Sequence, residues 1–255
     1  PHGRVYALHR PGFGRGKPVT LPVWRTEWLT ALRRRRLFFF NILIPLTLVA
    51  TIVLSSAPAV HAAAVFTVLF ALFGTFGSSI PLIRDGESGL LRRYVLTGIH
   101  PGGLLFQRVF AAAALDLVEL APSVLVIVVA RGSSAAQLAM VVPAMILGLL
   151  AANALGAITA AFAKSVAEGA LFSAVAALLL LHWAGTFRSP VPGTWQATLE
   201  AWNPFLPLHE SLLAAAGAGG PDLDPALLTP PLVTTLAVLL LITAAGRYTI
   251  GLGGR

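Results

Sequence analysis

Long runs of apolar residues, separated by short polar segments, are the dominant pattern along this chain of 255 residues. A helix of about 18 or more apolar residues is long enough to cross the roughly 30 Å hydrocarbon core of a bilayer. The pattern therefore predicts an all-α integral membrane fold with six transmembrane helices. These spans are predicted at about residues 37–54, 60–83, 104–130, 135–162, 166–187 and 227–250.

The remaining segments predict a single membrane domain with short ends. In order, the parts are a tail with an interfacial helix, the six-span domain and a short end, at residues 1–36, 37–250 and 251–255. Trp24, Trp28 and Leu32 recur every four residues, which is typical of a helix lying in the headgroup region. A frayed start of the first span is the alternative. Spans five and six are separated by an insert, residues 188–225.

Composition agrees with a membrane protein. Hydrophobic residues make up 56% of the chain, charged residues only 11%, and the mean hydropathy is +0.82, whereas soluble domains carry roughly 25% charged residues. The absence of cysteine excludes disulfides, thiolate nucleophiles and cysteine metal sites. A net charge of +8 could indicate nucleic acid as a partner, but a chain with so little soluble surface has nowhere to bind it.

The distribution of the basic residues predicts the topology. Nine of the eighteen Lys and Arg residues precede the first span, and cytoplasmic segments are enriched in basic residues. Both termini are therefore expected in the cytoplasm. Abundant Ala, Leu, Gly and Arg beside two Lys favour a bacterial source, so we expect a multi-pass protein of the bacterial cytoplasmic membrane.

The polar segment after the second span, residues 85–98, is amphipathic. Its apolar residues share one face at helical spacing: Leu90, Leu91, Tyr94 and Val95. Its acidic residues lie near the start and its basic residues near the end, as the helix dipole prefers: Asp85, Glu87, Arg92 and Arg93. Gly98 and Pro101 are expected to end this helix. Such a helix is either a lever that a soluble partner can move or a passive anchor.

This segment resembles the coupling region of six-span permeases of type-2 ABC exporters. The resemblance is carried by an acidic, Gly, Leu, basic and Thr pattern, here Glu87, Gly89, Leu91, Arg93 and Thr97. Two further features agree with it, a basic run before a proline-containing first span and an Asn-Pro pair in the insert: Arg33 to Arg36 with Pro45, and Asn203 with Pro204.

The resemblance implies an assembly with other subunits. In that family the coupling region docks into a separately encoded ATPase, and two permeases, identical or different, work with two ATPases in the lipid membrane. ATP and magnesium would then bind to the ATPase, with no cofactor, metal or catalytic residue on this chain. The docking residues it implies are Asp85, Glu87, Gly89, Leu90, Leu91, Arg92, Arg93, Tyr94 and Thr97.

Two acidic residues lie near the middle of the third span. Asp116 and Glu119 are three residues apart and therefore point to the same face of a helix. An ionised carboxylate at the bilayer centre is costly, so both should face protein or water. They form either a cation or proton site in the transport path or a buried polar contact. The contact could involve Asn153, His182 or a second copy of the chain.

Small residues in the fourth span recur every four positions, at Gly148, Ala152 and Gly156. Such a stripe allows close helix contact, and packing within the subunit is favoured over packing between subunits.

The insert between spans five and six is rich in aromatic residues and proline, which fits a position at the membrane interface. The family resemblance suggests short re-entrant helices here. The segment is either a passive cap or an outer gate, and the residues implied in a gate are Trp202, Asn203, Pro204 and Phe205.

These observations favour an ABC permease that moves an amphipathic, lipid-like or drug-like substrate outward. The alternative is a secondary transporter driven by an ion gradient through Asp116 and Glu119, although no internal repeat is evident. An intramembrane enzyme is disfavoured, because neither HExxH nor GxSxG is present.

Overall fold

The computed structural model describes residues 23–55, 57–188, 191–218 and 224–251, with side chains up to residue 246. Predictions for the tail at residues 1–22 and the end at 252–255 lie outside these ranges. Within the described ranges the chain is helical apart from its connections, without a strand.

Within the described ranges, six helices are long and apolar enough to cross a membrane, which confirms the predicted fold class. They are α2 (Arg35–Leu54), α3 (Ala59–Glu87), α5 (Pro101–Arg131), α6 (Ala135–Phe162), α7 (Val166–Trp183) and α10 (Thr229–Gly251). The shorter helices are α1 (Val23–Arg33), α4 (Leu90–Leu96), α8 (Trp195–Ala201) and α9 (Leu206–Ala215), with a 3₁₀ turn at Pro225–Leu228.

Because the spans alternate in direction, the connections divide between two membrane faces. One face carries α1, α4 and the α6–α7 turn, and we refer to it as the basic face. The opposite face carries α8 and α9 and is referred to as the insert face.

Three predicted boundaries differ from the structure. The second span continues to Glu87, so Asp85 and Glu87 end α3 and do not begin the amphipathic helix. Pro101 begins α5, since a proline at the first position of a helix lacks only an N–H that would have no partner there. The fifth span ends at Trp183 and not at 187, because the turn that follows places Gly185 at φ 74°.

The core forms where α3 and α6 cross closely. A side chain at Gly156 would collide with the backbone carbonyl of Thr75 in α3, and one at Gly74 would lie 2.8 Å from the Cβ of Ala152. Closer to the start of α6, Gly148 leaves room for Leu208 of α9. The small-residue stripe of α6 therefore packs within the subunit, as the sequence predicted.

Helix α9 fills the core at the insert face. It packs between α3 and α6, and most of its side chains are buried: Leu206, Pro207, Leu208, His209, Ser211, Leu212, Ala214 and Ala215.

Helix α2 lies at the edge of the bundle and packs mainly on α5. Its outward side chains are large and apolar: Phe39, Phe40, Leu43, Ile44 and Leu48. An exposed apolar face of this kind on a spanning helix is suited to contact with lipid.

Candidate functional site

The amphipathic segment forms a compact turn and helix at the basic face. After α3 ends, Gly89 adopts φ 70° and ψ 10° at the start of α4, a left-handed conformation that glycine accepts without strain. Thr97 ends α4, and its hydroxyl donates a hydrogen bond to the carbonyl of Tyr94 at 2.8 Å. The predicted helix is therefore present but shorter than residues 85–98.

Helix α4 turns its apolar side toward the bundle. Half-buried side chains occupy that side: Leu90, Leu91, Tyr94 and Val95. The opposite side is exposed to solvent and carries Arg92, Arg93, Leu96 and Thr97. Glu87, at the end of α3, is also exposed. The predicted docking residues thus divide into a group that anchors α4 and a group that is free to meet a partner.

A buried arginine links the helices beneath α4. Arg108 of α5 is 6% exposed, and its guanidinium pairs with Glu27 of α1 at 2.6 Å and with Asp85 of α3 at 2.5 Å. The same guanidinium lies 5.9 Å from the centre of the Tyr94 ring, within the range of a cation–π contact. One side chain therefore holds α1, α3, α4 and α5 together.

Sequence reasoning missed Arg108, although an arginine inside an apolar span is itself a signal that a partner must exist. Val23, at the start of α1, supports the same arrangement, because its N–H donates to Oε1 of Gln107 at 3.2 Å.

Burial and the Arg108 guanidinium have opposite effects on the pKa of Glu27 in this cluster. Burial raises the pKa of Glu27, and the nearby Arg108 guanidinium opposes that rise. Removing the guanidinium would therefore leave Glu27 in a site that disfavours its charged form.

The two acidic residues of α5 are almost fully buried, with Asp116 4% and Glu119 1% exposed. Asn153 of α6 donates to Oδ2 of Asp116 at 2.7 Å, and Asn41 of α2 donates to Oε1 of Glu119 at 3.2 Å. The predicted contact with Asn153 is therefore present. His182 lies elsewhere, lining a separate pocket at the insert face.

Packing and hydrogen bonding fix Asp116 tightly. Ser78 of α3 donates to Oδ1 of Asn153 at 2.5 Å, which orients the amide that reaches Asp116. Gly77 supplies the space, because a Cβ there would lie 2.7 Å from Oδ2 of Asp116. Each carboxylate thus has a neutral donor, while no Lys or Arg side chain in the described part of the chain lies within 4 Å of either. An ionised carboxylate at this depth costs at least about 2.5 kcal/mol.

A cavity of about 650 Å³ connects the two groups of charges. Helices α1 to α5 all contribute to its wall, which includes the ion-paired Arg108 near the basic face and both acidic residues of α5. Along a helix that rises 1.5 Å per residue, Asp116 lies about 12 Å and Glu119 about 16 Å deeper than Arg108. The wall is largely apolar and includes Phe38, Phe73, Phe76, Ile80 and Leu115.

The predicted gate residues of the insert hold α8 and α9 in place. The side-chain amide of Asn203 donates to the carbonyl of Leu180 at 2.7 Å, and its oxygen accepts from the N–H of Phe205 at 3.0 Å. Phe205 is fully buried, Pro204 is half-buried and Trp202 is 48% exposed. These contacts fix the insert against α7.

Comparison with known proteins gives one assignment. The family model for the ABC-2 type transporter matches residues 20–216, about three quarters of the chain. A comparison with curated proteins returned no match. The matched region includes α1 to α9, and with them the α4 turn, the Arg108 cluster and the cavity. The chain is therefore a multi-pass membrane permease that belongs to the ABC-2 type transporter family.

Proposed function

We propose that this permease moves an amphipathic, lipid-like or drug-like substrate outward across a bacterial cytoplasmic membrane. The energy comes from ATP hydrolysis by a separate ATPase subunit, which binds the ATP and magnesium. Two copies of that ATPase serve two permease subunits, either identical or different. The basic face is cytoplasmic, in agreement with the excess of basic residues there.

One observation carries the proposal: the helix that presents an exposed docking side is joined through its buried side to the transmembrane core. Glu87, Arg93 and Thr97 are exposed at the basic face. Beneath them, Tyr94 contacts Arg108, whose ion pairs reach α1 and α3. A force applied to α4 by an ATPase is therefore delivered to three further helices at once, α1, α3 and α5, as a rigid-body coupling requires.

The position of the cavity supports outward transport. The cavity is bounded by α4 and α1 at the basic face, while α9 fills the core at the insert face. A substrate would thus enter from the cytoplasmic side and leave once the insert moves. In this scheme the Asn203 and Phe205 contacts belong to an outer gate.

Affinity purification from the native host tests the proposal. The full-length permease in mild detergent should retain an ATPase whose hydrolysis of ATP depends on the permease. The double variant Glu87→Ala, Arg93→Ala should lose that association or activity, because it removes two of the three exposed charges on the docking side.

A matched control is available on the same face. Lys164 and Glu168 are charged residues of the α6–α7 turn, away from α4, where the backbone N–H of Lys164 donates to the Glu168 carboxylate. The double variant Lys164→Ala, Glu168→Ala should retain the ATPase. If the wild type purifies without an ATPase under several gentle conditions, or both double variants behave alike, the proposed coupling site is wrong.

A further inference from the structure

We propose that the cavity bounded by α1 to α5 is the substrate site of a single subunit and that it binds amphipathic organic cations. The inference rests on the proposed function and goes further by naming the chemical class of the substrate. Its basis is the placement of two buried carboxylates without a counter-charge at the deep end of an apolar, aromatic cavity.

The cavity has the size and the wall of a small-molecule site. Its volume of about 650 Å³ lies within the range typical of ligand pockets, roughly 300–1,000 Å³. Phe38, Phe73 and Phe76 contribute aromatic rings to its wall. Aromatic rings bind apolar bodies and also attract cations through their faces.

The charges of the wall favour a cation at the deep end. Asp116 and Glu119 each accept one hydrogen bond from a neutral amide, and within the described ranges neither has a basic partner. A ligand cation would supply the missing charge. Near the basic face the balance is different, because Arg108 is already paired with Glu27 and Asp85.

A second, independent feature also indicates a ligand. Arg108 is 6% exposed and lines the cavity, yet its Nε–H has no acceptor among the described residues. A buried donor without a partner is unfavourable.

An organic cation fits better than a metal ion. Within the described part of the chain, no three His, Cys, Asp or Glu side chains are grouped closely enough to hold a metal. Hard metal ions prefer six or more oxygen ligands, whereas this cavity offers two carboxylates within aromatic walls.

A pair of probes with the same shape and opposite charge tests the proposal. The full chain is reconstituted in nanodiscs of phosphatidylcholine, with and without its ATPase, and binding of tetraphenylphosphonium and tetraphenylborate is measured by equilibrium dialysis. We expect saturable binding of the cation and only unsaturable partition of the anion. The isosteric variants Asp116→Asn and Glu119→Gln should each weaken cation binding by about tenfold or more.

The control variant is Glu210→Gln, which neutralises a half-buried carboxylate of α9 outside the cavity. It should bind the cation as the wild type does. Asp116→Asn retains an acceptor for Asn153, so the α5–α6 contact can persist. If a variant does not fold, the comparison of the two probes on the wild type still decides the question.

Equal binding of the two probes, or cation binding that survives both substitutions, would overturn the proposal. A permease that retains its ATPase but shows no saturable binding of tetraphenylphosphonium would contradict this inference alone. A permease that binds the cation but never associates with an ATPase would contradict the proposed function and leave the site intact. The two failures are therefore distinguishable.

Discussion

Replacing Arg108 with methionine is the most direct test of the contacts that join α4 to the spans. Methionine keeps the apolar stem but removes the charge, leaving Glu27 and Asp85 without their partner. The guanidinium is 6% exposed and the two acidic side chains are 28% and 22% exposed. Removing one partner of a fully buried pair costs about 3–5 kcal/mol. Because the acidic side chains keep some contact with solvent, we expect Arg108→Met to lower the free energy of unfolding by about 2–4 kcal/mol.

A loss of stability of that size is large enough to measure as a decrease in the melting temperature. For domains of 150–250 residues, 1 kcal/mol corresponds to a shift of roughly 2–4 °C. Arg108→Met should therefore melt about 4–16 °C below the wild type in detergent. The triple variant Glu27→Gln, Asp85→Asn, Arg108→Met should recover most of the loss, because it leaves no unpaired charge. A melting temperature unchanged in the single variant, or no recovery in the triple variant, would refute the reasoning.

The same variant has a predicted pH dependence. Burial raises the pKa of Glu27 above its usual value of 4.5, and Arg108 restrains that rise. Without Arg108 the folded-state pKa should rise further. A group whose pKa is raised on folding contributes stability at low pH and loses it as the pH passes through the folded value. The gap between wild type and Arg108→Met should therefore be smaller near pH 4.5 than at pH 7.5.

Two glycine substitutions give further predictions. Gly156→Ala should destabilise the protein by about 1–3 kcal/mol, because the added methyl group meets the Thr75 carbonyl. The control is Gly103→Ala, where a Cβ would have no atom within 4 Å, and it should leave the melting temperature unchanged or raise it. Equal melting temperatures of Gly156→Ala and Gly103→Ala would contradict the close α3–α6 crossing. Gly89→Ala should lower the stability by about 1 kcal/mol and reduce ATPase stimulation, since residue 89 has φ 70°. Gly89→Asn should have a smaller effect on both, because asparagine adopts this conformation more readily. Equal ATPase stimulation by the wild type and both variants would count against the importance of the turn.

The spans were predictable because their signal is local and repeated. The fourth span was predicted to the residue, at Ala135–Phe162, because polar residues precede the apolar run. Ser134 and Gln137 form a reciprocal capping box there, which fixes the first turn.

The start of α4 could not be predicted in the same way. Helical spacing of apolar residues continues from α3 across Gly89, so the pattern alone does not show that one helix ends and another begins. The break is a backbone turn at one residue. Asp85 was consequently assigned to α4, although its position at the end of α3 is what allows it to reach Arg108.

Contacts between distant segments were the hardest to predict. The partners of Arg108 lie 81 positions before it and 23 positions before it in the sequence, and no local pattern connects them. For Asp116 the sequence narrowed the partner to a few polar residues. Only the relative rotation of α5 and α6 decides that it is Asn153, while His182 lies at the insert face.

The docking helix and the cavity are connected by one continuous element. Arg108, Asp116 and Glu119 all belong to α5, and the proline in the interior of that helix, Pro122, lies beyond all three. The segment from Arg108 to Glu119 can therefore move as a rigid rod, so that a displacement of α4 carried through Arg108 also shifts the carboxylates. Coupling between binding sites is reciprocal. A cation whose affinity differs between the displaced and the undisplaced position of α5 must change the affinity of the permease for its ATPase. The ATPase must change the affinity of the permease for the cation by the same factor.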